Sequence, residues 1–152
     1  MARGGRGRER GMMQEFTIPG RLMGRNEYDY ASRSHWSKAA KAKKAEQERV
    51  AWAMREAGIR PVEGPIVLAF EFHEKRQRNG RMRDHDNIRG GAVKVVLDAM
   101  KETGVIVDDS PKYVRNSYSW FAWNDPDPRI VVKITPYDPN GSTVHYPPIE
   151  GL

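Results

Sequence analysis

The alternation of apolar and polar residues predicts four strands. Residues 66–73 show the most regular pattern, with large apolar side chains at every second position, which is typical of a strand. Less regular patterns predict a first strand over residues 14–18 and two last strands over residues 113–123 and 129–135. Because only the turn-forming residues 124–128 separate the last two strands, we expect them to form an antiparallel hairpin.

A helical repeat of apolar residues predicts two helices between these strands. The first covers residues 34–57, with Ser34 as its N-cap and Trp36 on its apolar face. The second follows Asn87, which is another good N-cap residue, and ends near residue 103. A glycine follows each predicted helix, as is common where helices end.

The order of these elements predicts the fold class and the domain boundaries. Residues 22–33 are polar and are expected to form a loop, so the order is β-α-β-α-β-β. This order predicts an α/β (α+β) fold in which two main helices pack on a single mixed sheet. The folded domain is expected to cover residues 14–136. A disordered Gly/Arg-rich tail over residues 1–13 would precede it, and a Pro-rich irregular tail over residues 137–152 would follow it.

The composition narrows the class of protein and its partners. A chain of 152 residues suits one domain, and its formal net charge of +6 favours a polyanionic partner such as nucleic acid. No apolar run approaches the roughly 20 residues of a membrane span. No apolar segment follows the N-terminal arginines, as it would in a secretory signal. The absence of cysteine excludes disulfides and thiolate metal sites, so we expect a cytoplasmic protein without a membrane partner.

Basic residues are concentrated around an acidic pair. Residues 75–89 contain six lysines and arginines but only two acidic residues, Asp84 and Asp86. An ordinary solvated surface is the less favoured interpretation, because the positive charge converges on the two acids. Since basic side chains bind phosphates, we expect this segment to contact DNA. The expected contacts are Arg76, Arg78, Arg81, Arg83, Asn87 and Arg89.

Asp84 and Asp86 are candidate ligands for a metal ion. In an extended backbone, side chains two residues apart point the same way, so both carboxylates can reach one cation. A hard cation such as Mg²⁺ needs only a few carboxylates together with water and substrate phosphate. Asp108 and Asp109 are adjacent and their side chains diverge, so only one of them is expected to join the cluster. Taken alone, the spacing of Asp84 and Asp86 is also compatible with solvated loop residues.

The second predicted helix carries a polar face beside these acids. At about 100° per residue, Lys94 and Asp98 each project within about 20° of Asn87. We expect Asp98 to orient Lys94 through an i,i+4 ion pair. Gly90 and Gly91 lie on the same side, and glycine weakens a helix. Either a group such as a phosphate backbone approaches them closely, or the first turn is not helical.

Three spaced elements of the sequence resemble the RusA family of Holliday junction resolvases. They are Arg83-Asp84-x-Asp86-Asn87, Lys94-x-x-x-Asp98-Ala99 and Gly104-Val105-Ile106-x-Asp108-Asp109. Two further segments, Phe16-Thr17-Ile18-Pro19-Gly20 and Asn26-Glu27-Tyr28, are similar to that family's opening strand and loop. The likeness runs from about Phe16 to Ile134, and its acidic core is specific because the three elements agree in order.

The resemblance implies a homodimeric, bacterial or phage-encoded endodeoxyribonuclease that nicks two opposing strands of a four-way DNA junction. It implies dependence on Mg²⁺, with Mn²⁺ as a substitute. The roles it implies are metal ligands for Asp84, Asp86 and Asp109, a supporting acid for Asp108 and the catalytic lysine for Lys94.

One departure from the family pattern leaves the basic catalytic role open. Lys94 follows Asn87 about one helical turn later than in the best-known members, so Arg89 is the alternative. Two other functions are also compatible with the sequence. One is a non-catalytic basic module that holds DNA junctions without cutting them, with salt-dependent binding that is indifferent to Mg²⁺. The other is a nuclease of the same fold that prefers a flap or a fork.

Overall fold

Residues 12–76 and 82–140, which this computed structural model describes, contain the four predicted strands and three helices rather than two. In chain order the elements are β1 (Gln14–Pro19), α1 (Arg25–Ser34), α2 (Trp36–Glu56), β2 (Ile66–His73), α3 (His85–Glu102), β3 (Val114–Ala122) and β4 (Arg129–Pro136). The strands form one open mixed sheet, so the predicted α+β fold is confirmed.

The strand order in the sheet is β1-β4-β2-β3. β4 is antiparallel to both of its neighbours, and its Val132 lies opposite Phe16 on β1 and Phe70 on β2. β3 is parallel to β2 and forms one edge of the sheet. The predicted hairpin of β3 and β4 is therefore wrong.

Burial explains why β4 takes an inner position and β3 an edge. Residues 130–132 are buried in succession, so β4 also buries Val131 on its second face, between Arg129 and Lys133. β3 consists of half-buried and exposed residues. The connection between the two strands passes the end of β2, where the backbone N–H of Asp125 donates to the carbonyl of Glu74 (3.0 Å). The Asp125 carboxylate is also hydrogen-bonded to Nδ1 of His73 (3.1 Å).

The hydrophobic core lies between one face of the sheet and the helices. The sheet contributes Phe16, Ile18, Leu68, Phe70, Phe72, Ile130, Val132 and Ile134, and the helices contribute Val50, Met54, Ile88, Val95, Val96 and Met100. α1 packs against α2 and α3 rather than entering the core, since it has no buried residue. The core therefore holds α3 firmly, and the exposed side of α3 is left to form a site.

α1 replaces the loop predicted for residues 22–33, so that prediction is wrong. The helix lacks a buried residue and therefore shows no apolar repeat. Contacts with the other helices hold it instead. The Tyr28 hydroxyl donates to the Glu46 carboxylate on α2, and the backbone N–H of Asn26 donates to the side-chain oxygen of Asn87 on α3 (2.8 Å). Short helices depend on such tertiary contacts, which a sequence pattern does not reveal.

α2 confirms the first predicted helix but begins differently. Its N-cap is His35 rather than Ser34. Trp36 was predicted to lie on the buried face, yet it is 78% exposed. The buried residues of α2 are Ala39, Glu46, Val50, Ala53 and Met54. The first turn therefore offers its indole ring to solvent rather than to the core.

The predicted tails lie largely outside the described residues, at residues 1–11 and 141–152. No helix within residues 12–76 and 82–140 is long and apolar enough to cross a membrane.

Candidate active site

The acidic pair lies at the start of α3, which begins three residues earlier than predicted. Asp84 rather than Asn87 is the N-cap, with extended backbone angles (φ −69°, ψ 149°), and its carbonyl accepts the backbone N–H of Ile88 (3.0 Å). Aspartate caps helices as well as asparagine does, so both positions were suitable. Asp86 lies in the first helical turn, which means that the two residues do not share one extended segment. The positive end of the helix favours both carboxylates there.

An open pocket lies on the exposed side of α3 and has a volume of about 480 Å³. We call it the acidic pocket, and its lining residues are Arg25, Asp86, Arg89, Gly90, Val93, Lys94, Leu97 and Asp109. The structure thus brings Asp86, Lys94 and Asp109 to one pocket, although the two acids are 23 positions apart in the sequence. Arg89, the alternative basic residue, lines the same pocket. Asp84 and Asp108 flank these acids in sequence without lining the pocket.

Lysines surround the acids of this region. The Lys101 ammonium lies 3.1 Å from Asp109 and 3.4 Å from Asp98. Asp98 lies closest to Lys43 of α2 (3.1 Å) and farthest from Lys94 (3.9 Å). Asp98 therefore pairs mainly with Lys43. Its contact with Lys94, which was expected to orient that lysine, is the longest of the three. Lys94 is 67% exposed in its side chain and remains accessible to a ligand.

Ion pairs and hydrogen bonds favour the charged forms of Asp98, Lys101 and Asp108. Burial alone would raise the pKa of Asp98, but the hydrogen bond from Lys43 and the charges of the three lysines outweigh it and lower the pKa. The hydrogen bond to Asp109 raises the pKa of Lys101. Hydrogen bonds from the backbone N–H of Asp109 and from Ser110 lower the pKa of Asp108. The Asp108 carboxylate is thus charged and is hydrogen-bonded to the residues that follow it in its own turn.

The acids of the pocket suit a hard cation. Within the described residues, no three acidic or histidine side chains come together in an arrangement that could hold a metal ion. Asp86 and Asp109 nevertheless line one solvent-open pocket, and both offer oxygen ligands. Mg²⁺ binds through as few as one or two carboxylates, with water and substrate phosphate completing its octahedron. The residues present therefore fit Mg²⁺, while the trio that includes Asp84 stays a prediction.

Arg83 lies inside an internal network. Its side chain is 6% exposed, and its guanidinium donates to the carboxylate of Glu74 and to the carbonyl of Leu22 (2.8 Å). Glu27 lies 3.7 Å away. Arg83 therefore ties the end of β2 to the segment before α1, and it is not available to DNA in this structure. The buried Glu74 that it pairs with was not identified from the sequence.

The other expected DNA contacts have different surroundings. Arg76 and Arg89 are exposed, and Arg89 donates to the Ser117 hydroxyl on β3 (3.0 Å). Asn87 accepts from Asn26 and so caps α1, whose own N-cap, Gly24, has no side chain to do so. Arg78 and Arg81 lie outside the described residues.

The two glycines of α3 have an internal explanation. A Cβ at Gly91 would collide with the carbonyl oxygen of Met23, so the segment before α1 crosses α3 at this point. A Cβ at Gly90 would meet the side chain of Arg25 at 3.3 Å. The first turn is helical, and at Gly91 the group that approaches is the chain's own backbone. Paired glycines in a helix were a correct sign of close approach, but the sequence did not identify what approaches.

His85 fixes the first turn of α3 on the sheet. Its ring stacks on Phe121 of β3 (centroids 4.1 Å apart, planes 4° apart) and faces Trp123 at 5.5 Å. The residue between the two acids is thus anchored, which restricts where Asp84 and Asp86 lie. Sequence analysis did not reveal this role, because the aromatic partners are more than thirty residues away.

Comparison with known proteins identifies the family. Residues 19–135 match the family described as endodeoxyribonuclease RusA. This match covers the acidic pair, the whole of α3, Asp108 and Asp109. No curated protein matches the chain. Since the match extends over most of the sequence and contains every residue of the acidic pocket, the chain belongs to the RusA endodeoxyribonuclease family.

Proposed function

We propose that this protein is a Mg²⁺-dependent, structure-selective endodeoxyribonuclease that resolves Holliday (four-way) DNA junctions by symmetric paired nicks. Family membership supports the general activity, because the family is one of endodeoxyribonucleases that act on such junctions. The observation that carries the proposal is the acidic pocket, where Asp86, Asp109 and Lys94 converge from separate parts of the chain.

The acids in the acidic pocket and those next to them in sequence have complementary roles in this proposal. Asp86 and Asp109 hold the metal ion, with Asp84 as a third ligand at the helix N-terminus. Bound Mg²⁺ would activate water for attack on the phosphodiester and offset charge on the phosphate. Asp108 stabilises the turn that presents Asp109.

In this proposal Lys94 stabilises negative charge on the scissile phosphate, and Arg89 is the alternative for this role. Lys94 is exposed, and its ammonium lies near Asp98 without being enclosed by it. A cation placed in this way can move to the phosphate oxygens where charge develops during cleavage. Arg89 lines the same pocket and can take the same role. We assign Lys94 the catalytic role and Arg89 a contact with the DNA backbone, together with Arg76.

The central test compares wild-type protein with Asp86→Asn on a mobile four-way junction. Asp127→Asn is the matched control, since it removes the same charge from an 84% exposed side chain outside the acidic pocket. With Mg²⁺ or Mn²⁺ we expect paired nicks from the wild type and from Asp127→Asn. We expect none from Asp86→Asn or in EDTA, because the metal ligand or the metal is missing.

Three outcomes would contradict parts of the proposal. If the wild type makes no paired nicks with either ion, the protein is not the proposed enzyme. Binding that depends on salt but not on Mg²⁺, without cleavage, would instead support the non-catalytic module. Equal cutting by Asp86→Asn would mean that the metal site is wrongly placed. Flap and fork substrates, tested in parallel, show whether the four-way junction is the preferred structure.

The proposal also includes a homodimer, because two symmetric nicks suit a two-fold assembly. Light scattering at the concentrations used for nicking should give twice the mass of one chain. A monomer under these conditions would contradict cleavage by a preformed dimer.

A further inference from the structure

A second depression lies beside the acidic pocket, between α1, α2 and α3, and has a volume of about 530 Å³. This volume is within the range of about 300–1,000 Å³ that is typical of ligand sites. We call it the Trp36 groove, and its lining residues include Arg25, Tyr28, Trp36, Lys43, Lys94 and Val95. Arg25, Gly90 and Lys94 line both depressions, so the groove continues directly into the acidic pocket.

Trp36 presents a large flat ring at this groove. Its side chain, in the first turn of α2, is 78% exposed, although tryptophan side chains are usually largely buried. Exposed aromatic rings in basic grooves are the surfaces on which unpaired nucleic-acid bases stack. Trp52, on the same helix, is 51% exposed and does not line the groove. Trp52 therefore serves as an internal control for Trp36.

Tyr28 lines the same groove and is held in a fixed orientation. Its hydroxyl donates to Glu46, a buried carboxylate that also accepts the backbone N–H of Met23 (2.9 Å). Burial and the interaction with Glu46 raise the pKa of Tyr28 well above its usual value, so the hydroxyl stays protonated. An aromatic side chain locked by a buried partner is preorganised to contact a ligand.

The charges of the groove match a phosphate. Arg25, Lys43 and Lys94 are cationic, and Asp29 is the single acidic residue among the lining side chains of the described structure. Asp98 lies within 3.1 Å of Lys43 and 3.9 Å of Lys94, so it holds the two ammonium groups near each other. Ala39 and Val95 add apolar surface between the charges. Cations next to apolar and aromatic surface suit the phosphate and base of one nucleotide.

We propose that the Trp36 groove binds an unpaired nucleotide of the DNA strand that enters the acidic pocket, with its base stacked on Trp36 and its phosphate between Arg25 and Lys94. This inference rests on the proposed function, because the shared Arg25 and Lys94 place the nucleotide beside the phosphate that is cut. It explains structure selectivity in physical terms. Junctions and forks release bases from stacking at low cost, whereas an intact duplex does not.

Binding is measured in EDTA by fluorescence anisotropy, with a short labelled oligothymidylate, a four-way junction and an intact duplex. We expect Trp36→Ala to weaken oligothymidylate binding by about 5- to 150-fold, the usual effect of losing one stacked base. Trp36→Phe, which keeps a ring, should retain most of the affinity. Trp52→Ala should bind as the wild type does, and duplex binding should change little in each variant.

A second variant tests the phosphate contact. Arg25→Gln removes one cation from the groove, so the dependence of log affinity on log salt for the oligothymidylate should become shallower by about 0.7. Circular dichroism checks that each variant is folded. If Trp36→Ala is unfolded, Trp36→Leu replaces it, because leucine keeps apolar bulk without a stacking ring.

The inference is overturned if Trp36→Ala binds oligothymidylate as tightly as the wild type. It is also overturned if Trp52→Ala weakens oligothymidylate binding as much as Trp36→Ala does, or if Trp36→Ala weakens duplex binding as much as oligothymidylate binding. The effect is then not specific to an unpaired base in this groove. Nicking is assayed separately. A wild type that binds through Trp36 but never nicks a junction contradicts the proposed function and supports the groove. If the wild type nicks junctions and Trp36→Ala binds and nicks as well as the wild type does, the groove proposal alone is overturned.

Discussion

Arg83 and Arg89 lie on either side of the acidic pair, but of the two only Arg89 presents its side chain to solvent. Arg83 donates to Glu74 and to the Leu22 carbonyl, so its charge is used inside the protein. Arg89 lines the acidic pocket and can reach a phosphate. Two arginines six positions apart, beside the same acidic motif, can thus have a structural or a ligand-binding role according to their burial.

This difference gives a prediction for stability. Arg83→Gln should lower the free energy of unfolding by about 3–5 kcal/mol, because it leaves the Glu74 carboxylate buried without its cation. The matched change Arg89→Gln should alter it by no more than about 0.5 kcal/mol. It should instead make the salt dependence of duplex binding shallower by about 0.9. Urea unfolding and binding titrations measure the two effects, and equal stability of the two variants would contradict the internal role of Arg83.

At the scale of elements, Asp98 connects α2 with α3. It lies 3.1 Å from Lys43 on α2, and on its own helix it lies 3.4 Å from Lys101. Lys101 in turn pairs with Asp109 at 3.1 Å. One partly buried carboxylate therefore links the helix layer to the turn that carries a candidate metal ligand.

The lowered pKa of Asp98 predicts a dependence of stability on pH. Its charged form is favoured in the folded state, so its contribution is fully present above the unfolded pKa of about 3.9. The contribution is lost as the pH falls from there through the lower pKa of the folded state. Asp98→Asn should therefore be less stable than the wild type at neutral pH, and the difference should shrink in more acidic solution.

Urea unfolding at neutral pH and at about pH 3 measures this difference. Asp127→Asn is the control, because its side chain is 84% exposed and its loss should change stability little at either pH. A difference between wild type and Asp98→Asn that stays constant with pH would contradict the ionic link.

At the scale of the whole molecule, the sheet order predicts which strands open rarely and which open readily. β4 lies between β1 and β2, so its backbone groups are hydrogen-bonded on both sides, whereas β3 is an edge strand with β2 as its partner. We expect amide hydrogens of residues 130–134 to exchange most slowly and those of β3 to exchange faster. Hydrogen exchange read by NMR tests this. Joint protection of β3 and β4 as one unit would favour the hairpin arrangement instead.

Several features of the site were predictable because their signals are local. Asp86, Lys94 and Asp109 were recognised from spacing and family resemblance, and they line one pocket. The position of Asp84 was less predictable, because aspartate and asparagine cap a helix equally well and the sequence offered both. Asn87 was assigned to DNA, yet it caps α1, a helix that no local pattern indicates.

By itself, the sequence determined the four strands and the two long helices, because alternation and helical periodicity are properties of neighbouring residues. It also determined the acidic residues that identify the family. Only the tertiary structure decided the strand order, the existence of α1, the internal role of Arg83 and the exposure of Trp36. Each of these depends on which distant segments touch, as Met23 touches Gly91 and Glu74 touches Arg83. Such contacts follow from packing the whole chain, and no local pattern contains them.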